Sequence, residues 1–211
     1  VNRPKLAYDY CNINFDEMSI MGNGFDLKKD LKKELKNVLN KNSDTPSFYF
    51  IEKILPGHIA TYESYSKGKE EERLKYLDKI NKANTWLIEM VNLISIQDPN
   101  GLIVIASDHG GYVGFDYTAQ AYKKPKNKEN VYSMFSSLLA IKWPDSQVDY
   151  DKDILTSVNL FKVVFSYLSE ENNLLELLEA DNSYLKIHDD DKPGIYEVIN
   201  NKNVVFKKIS D

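Results

Sequence analysis

Residues 101–111 have the sequence GLIVIASDHGG, in which an apolar run leads directly into a polar, glycine-rich turn. The run Leu102–Ala106 is rich in β-branched side chains and too short for a helix, which indicates a buried strand. Asp108 and His109 follow it, and the two glycines after them permit a sharp backbone turn. Ligands of open α/β sheets bind beyond the carboxyl ends of the strands. The segment therefore predicts a strand that ends in a site.

The chemistry of such a site would be metal binding, because carboxylate oxygen and imidazole nitrogen are ligands that suit zinc or manganese. A short Ser-Asp-His-Gly segment can equally be an ordinary turn, with Asp108 capping the next element and His109 partly exposed. Short motifs also occur by chance. The four residues alone leave both interpretations open.

Composition limits the classes of protein to which the chain can belong. Its 211 residues carry a net charge of −5 and are 42% hydrophobic, which suits one domain with a small appendage. Basic residues form no stripe, so the sequence argues against a nucleic-acid partner. Cys11 is the only cysteine, which excludes an intrachain disulfide and a cluster of thiolate metal ligands.

The chain shows no apolar run near the roughly 20 residues that span a bilayer, and no signal-peptide pattern. It begins with Val1 rather than methionine. We therefore expect a fragment or processed piece of a longer protein, with any targeting or membrane-anchoring segment upstream.

A strand–helix–strand pattern surrounds the opening segment. Ser47–Leu55 is aromatic and β-branched, which predicts a strand, and residues 70–96 have the periodicity of a long amphipathic helix. Together with the strand at 102–106 they predict a right-handed βαβ unit with parallel strands. His58, which follows Pro-Gly after the first strand, would then lie at the same sheet edge as the Asp-His pair. It can also be an ordinary loop histidine.

The remaining chain predicts an α/β fold in two parts. Residues 1–182 form an α/β domain with a mostly parallel sheet, and residues 183–211 form a small C-terminal β-hairpin appendage. A polar loop of residues 112–130 follows the Asp-His pair and is a candidate wall for a substrate pocket. The further predicted elements are a leading segment within residues 1–44 that includes a helix at Phe25–Lys41, a third strand at Leu138–Trp143, a helix that begins near Thr156 or Ser157, and hairpin strands at Ile195–Ile199 and Val204–Ile209.

Over roughly residues 45–185 the chain resembles the C-terminal part of a sulfatase-like hydrolase of the alkaline phosphatase superfamily. The likeness is nearest to the membrane-anchored envelope branch that includes lipoteichoic-acid-synthase-like proteins. Ser107-Asp108-His109-Gly110 is its sharpest motif. The other segments that carry it are Phe48–His58, Tyr76–Ile94, Met134–Ile141, Trp143-Pro144 and Ser157–Lys162.

This resemblance implies a partial alkaline-phosphatase-like α/β/α fold and a metal-dependent site. It implies that Asp108 and His109 are metal ligands, and that His58 is a second-site ligand or contacts substrate phosphate. The implied cofactor is a divalent metal (Mn, Zn, Ca or Mg), and the implied substrate is a small sulfate or phosphate ester or a lipid or glycan headgroup. It also implies a cell-envelope location, outside the membrane that anchors the parent protein.

The family's nucleophile and remaining acidic ligand lie upstream of this region, and residues 1–44 contain nothing that matches them. We therefore expect no catalytic residue in this chain, and no activity of this chain by itself. Two other interpretations stay open. The chain can be a non-catalytic binding or scaffolding module that retains the sulfatase-like fold, or an unrelated α/β domain in which the Asp-His pair is a turn.

Overall fold

The computed structural model describes residues 30–39, 46–123, 125, 127–145, 154–188 and 192–210. The chain divides into two compact units, Val1–Phe48 and Tyr49–Asp211. In these described ranges no helix is both long and apolar enough to cross a membrane.

The first unit contributes one described helix, α1, at Leu31–Leu39. The Asp30 carboxylate accepts hydrogen bonds from the backbone N–H groups of Lys32 and Lys33, at 3.1 and 3.3 Å, as an N-terminal cap does. Leu35 is buried and the lysines are exposed, so the amphipathic helix predicted within residues 25–41 is confirmed over this range. The rest of that prediction, and the leading segment before it, lie outside the described residues.

The described residues of the second unit form three α-helices and five strands. Its helices are α2 (Lys69–Gln97), α3 (Lys128–Phe135) and α4 (Leu160–Ser169), and its strands are β1 (Ile103–Ala106), β2 (Leu139–Lys142), β3 (Ser183–Ile187), β4 (Gly194–Asn200) and β5 (Asn203–Ser210). Short 3₁₀ turns lie at Glu63–Tyr65, Thr118–Tyr122 and Leu175–Leu177. The fold is thus mixed α/β, and the long helix predicted at residues 70–96 is confirmed.

The predicted mostly parallel sheet is wrong for the described part of the chain, where both sheets are antiparallel. Strand β1 pairs with β2, and β3, β4 and β5 form a three-stranded sheet in that order. Residues 47–55 form no strand, and Phe50 and Ile54 are 78% and 70% exposed. Aromatic and β-branched residues favour a strand only where a neighbouring strand packs against them, and none pairs with this segment in the described ranges.

The predicted C-terminal hairpin is confirmed as β4 and β5. Asn201 and Lys202 connect the two strands and have positive φ angles of 46° and 66°, as a two-residue type I′ turn requires. Strand β3 adds a third strand to this sheet. The predicted domain boundary between residues 182 and 183 stays a prediction.

Two clusters of buried apolar side chains lie among the described residues of the second unit. The first core cluster is Ile59, Phe115, Ala121 and Met134, and the second is Val131, Ile187, Tyr196 and Val198. Helix α3 supplies a residue to each, and Phe135 and Leu185 pack against both. The first core cluster includes Ile59, which follows His58, and Met134, whose carbonyl accepts the N–H of Gly110 at 2.8 Å.

Candidate functional site

The position of the Asp-His pair is set by Ser107, which extends the pairing of β1 with β2 by one residue. The backbone N–H of Ser107 donates to the carbonyl of Leu138 at 2.9 Å. The backbone N–H of Leu138 in turn donates to the Ser107 hydroxyl oxygen at 2.7 Å. Because both bonds join the same two residues, the chain leaves β1 in a fixed direction, and Asp108 and His109 follow immediately.

The two glycines after the pair are needed for close packing rather than for a special backbone angle. Neither Gly110 nor Gly111 is among the residues with positive φ. A β-carbon at Gly110 would lie 2.2 Å from the carbonyl oxygen of Ser133, and one at Gly111 would lie 2.1 Å from the Tyr76 ring. Helices α3 and α2 therefore approach this segment closely, and close packing is a reason for the glycines in addition to the turn expected from the sequence.

The structure brings His58 next to the pair, although by a different route from the predicted parallel strands. The backbone N–H of Ile59 donates to the carbonyl of Gly111 at 3.3 Å, and Thr118 bonds to Ala60 at 2.9 Å. As a result the ring centroids of His58 and His109 lie 6.1 Å apart. The three residues singled out from the sequence thus share one surface.

Both imidazoles have a defined tautomer. The Nδ1 atom of His58 lies 2.5 Å from the carbonyl oxygen of Ile59, and that of His109 lies 2.8 Å from the carbonyl oxygen of Gly110. A carbonyl oxygen can only accept, so each Nδ1 carries the proton and each Nε2 of the neutral ring keeps its lone pair. Histidines that bind metals are commonly held in this way by a second hydrogen bond.

Asp108 presents a carboxylate oxygen to the Nε2 atom of His109. Its Oδ1 accepts the backbone N–H of His109 at 2.9 Å, and its Oδ2 lies 3.5 Å from His109 Nε2. With Nδ1 protonated, two lone pairs face each other unless the imidazole is protonated or a cation lies between them. Ligand atoms about 2.1 Å from a tetrahedral zinc ion are separated by about 3.4 Å. The pair therefore has the spacing of two ligands of one metal ion.

The ligand set stops short of a complete metal site. Within the residues that the structure describes, no group of three or more His, Cys, Asp and Glu side chains is arranged to hold a metal ion. The side chain of Asp108 is 86% exposed and that of His109 is 40% exposed. The pair therefore fits a divalent metal only as part of a site that is open to further ligands. The ring centroid of His58 lies 6.1 Å from that of His109.

Tyr112 is the residue of the predicted 112–130 loop that lies at this site. Its ring centroid is 5.4 Å from that of His109 and 6.3 Å from that of His58. Burial raises the pKa of the Tyr112 hydroxyl, and the nearby Tyr122 and Asp108 raise it further. The sequence marked the loop as a candidate wall, but no local signal indicated that Tyr112 would contact both imidazoles.

A separate open cleft lies at the amino end of α2, and its lining includes neither histidine of the site. It is lined by Glu63, Ser66, Gly68, Asp116, Tyr117 and Gln120. Several of these groups already bond to one another: the Ser66 hydroxyl donates to the carbonyl of Asp116, and Gln120 donates to its carboxylate at 3.2 Å. The cleft is thus explained by local structure.

No family model, curated protein or solved structure matches this chain. The features of this chain that point to a function are therefore the geometry of His58, Asp108 and His109 and the resemblance of their sequence motif.

Proposed function

We propose that the chain is the C-terminal portion of a sulfatase-like metallohydrolase and supplies part of its divalent-metal site. One observation supports this above the others, the 3.5 Å approach of Asp108 Oδ2 to His109 Nε2 with the Nδ1 atoms of both imidazoles bound to carbonyl oxygens. A turn needs neither feature. Asp108 and His109 would hold the metal, and His58 would be a ligand of a second site or a contact for an anionic substrate oxygen.

A divalent metal in such a site acts as a Lewis acid toward a sulfate or phosphate ester oxygen. The residues of this chain bind and orient: the Asp108 carboxylate supplies negative charge, and the imidazoles present Nε2 atoms in a fixed tautomer. The attacking nucleophile and the remaining ligands would come from elsewhere in the parent protein. By the same resemblance we propose that the substrate is a small sulfate or phosphate ester or a lipid or glycan headgroup, and that the parent protein lies in the cell envelope.

Metal titration of the untagged chain tests the ligand assignment. Zinc binding followed by calorimetry should be weak, and Asp108→Ala and His109→Ala should each lower the affinity by about tenfold or more, as loss of a metal contact does. His188 is the matched control, because it lies against Tyr122 rather than in the site. If both site variants bind zinc as the unchanged chain does, the pair is a turn and the proposal is wrong.

A second candidate is a non-catalytic module that retains binding without chemistry, and the incomplete ligand set of the described residues favours it. Hydrolysis of nitrophenyl phosphate or nitrophenyl sulfate separates the two. We expect no turnover by this chain alone with zinc or manganese. A longer protein that contains this sequence should hydrolyse one of these esters, and should lose that activity with His109→Ala. A longer protein that binds metal without turnover would support the non-catalytic module.

A further inference from the structure

Tyr112 has a backbone conformation that its side chain disfavours. Its φ angle is +59°, in the left-handed region where a bulky residue is an outlier. The conformation is held on both sides, since the backbone N–H of Tyr112 donates to the carbonyl of Ser133 at 3.1 Å and its carbonyl accepts from Phe115 at 3.2 Å. Strained residues that the surrounding structure holds in place are concentrated at functional sites.

The ring of Tyr112 stands nearly perpendicular to both imidazoles. Its plane makes an angle of 77° with the ring of His109 and also with that of His58. The two imidazoles are inclined to each other by only 32°. One tyrosine ring therefore makes an edge contact with each histidine, an arrangement that aromatic pairs prefer.

The Tyr112 ring also packs against the first core cluster. Its centroid lies 6.3 Å from that of Phe115, a member of the first core cluster, against which Tyr112 packs. A rotation of the Tyr112 ring would disturb that cluster. The contacts of Tyr112 with the two histidines thus connect the exposed site to the buried interior.

We infer that Tyr112 is a positioning residue that fixes the rotation of both imidazoles and so the direction of their Nε2 atoms. The hydrogen bonds to the carbonyls of Ile59 and Gly110 select the tautomer, and the tyrosine ring limits rotation about the remaining side-chain bonds. The role of this positioning rests on the proposed function, since Nε2 atoms held in a fixed direction serve a metal or an anionic oxygen. The geometry of the rings can be tested without either.

Nitrogen NMR of the imidazole rings is the direct experiment, because the chain has only three histidines. In the unchanged protein, the nitrogen signals of His58 and His109 should show a proton on Nδ1, which is held against a carbonyl oxygen. Tyr112→Phe keeps the ring and should preserve both patterns. Tyr112→Gly accepts the backbone angle but removes the ring, and should shift His58 and His109 toward averaged tautomers while His188 is unchanged.

Glu170→Gly is the matched control for relief of strain, because Glu170 has the same φ of 59° at the end of α4. It should leave all three imidazole patterns unchanged. Zinc affinity should fall about tenfold in Tyr112→Gly, as on loss of an outer contact to a metal ligand, and stay unchanged in Tyr112→Phe. The inference is overturned if Tyr112→Gly keeps the imidazole patterns, or if Tyr112→Phe loses them. If the unmodified chain shows the expected imidazole patterns but binds no zinc, the proposed function is wrong while the inference about Tyr112 stands.

Discussion

Gly110 lies where two backbone segments come into contact, so a single methyl group there should be costly. Its N–H donates to the carbonyl of Met134 at 2.8 Å, and an added β-carbon would lie 2.2 Å from a backbone oxygen of Ser133. We predict that Gly110→Ala lowers the free energy of unfolding by about 3 kcal/mol, since overpacking against backbone cannot be relieved by a rotamer change. Urea denaturation of the purified variant measures this.

The matched control is Gly57→Ala. Gly57 has a φ of +69° but no atom within 4 Å of the added β-carbon, so only backbone strain remains, which costs about 1 kcal/mol. Equal destabilisation by the two variants would contradict the close approach of α3 at position 110.

Among the elements, α2 is joined near its amino end to the chain that precedes it. The N-cap residue is Gly68, which has no side chain, and the N–H of Lys69 donates to the Asp116 carboxylate at 3.2 Å. The buried carboxylate of Glu72, in the first turn, accepts from the N–H groups of Ala60 and Lys67 before the helix, at 3.0 and 3.1 Å. Burial raises the pKa of Glu72, but these hydrogen bonds and the nearby Lys75 outweigh it and leave the pKa below its ordinary value of 4.5.

Because the folded-state pKa of Glu72 is lowered, its carboxylate stabilises the fold above about pH 4.5. That stabilisation is lost as the pH falls through the folded-state value. We predict that Glu72→Gln costs about 1–3 kcal/mol at pH 7, and that the difference from the unchanged protein shrinks below pH 4.5. Thermal melts from pH 7 to pH 3 measure this difference in stability.

The control is Glu71→Gln, which removes an exposed partner of Lys75 and should cost less than about 1 kcal/mol. A pH-independent difference for Glu72→Gln would contradict the prediction.

Elements with local signals were predictable from the sequence, and those that depend on distant partners were not. Helix α2 has sustained periodicity with a Pro-Asn-Gly stop, and the β4–β5 hairpin has its own turn residues. Residues 47–55 have strand composition, but no local signal could show that a pairing strand would be lacking in the described ranges. Helix α4 is apolar on two faces, and no local signal indicates that it buries Leu160 and Val163 while Phe161 stays exposed.

The same distinction applies to the site. The order of residues placed Asp108 and His109 after a strand, and this is where the structure has them. The proximity of His58 was predicted from a parallel sheet that the described residues do not form. It arises from backbone hydrogen bonds between loops, which no periodicity encodes. The position of the Tyr112 ring depends on a left-handed backbone angle, and a tyrosine in the sequence does not indicate such an angle.

At the scale of the whole second unit, the C-terminal sheet shares its interior with α3. Val131 and Val198 are both completely buried in the second core cluster. Since Phe135 and Leu185 pack against the first cluster as well, stability of the sheet should be coupled to the segments that hold Gly110 and Tyr112. An independent hairpin appendage, as the sequence suggested, would lack this coupling.

Val198→Ala tests the coupling. It should lower the free energy of unfolding by about 2 kcal/mol, because a buried methyl pair is lost and a cavity is left. Hydrogen exchange should show the α3 amides of Val131 to Phe135 losing protection by a similar free energy, since α3 and the sheet would open together. Val205→Ala, at a position that is 38% exposed in the same sheet, should change α3 protection little. If Val198→Ala accelerates exchange only within β3, β4 and β5 while α3 stays protected, the sheet unfolds by itself, and the boundary between residues 182 and 183 is a true domain boundary.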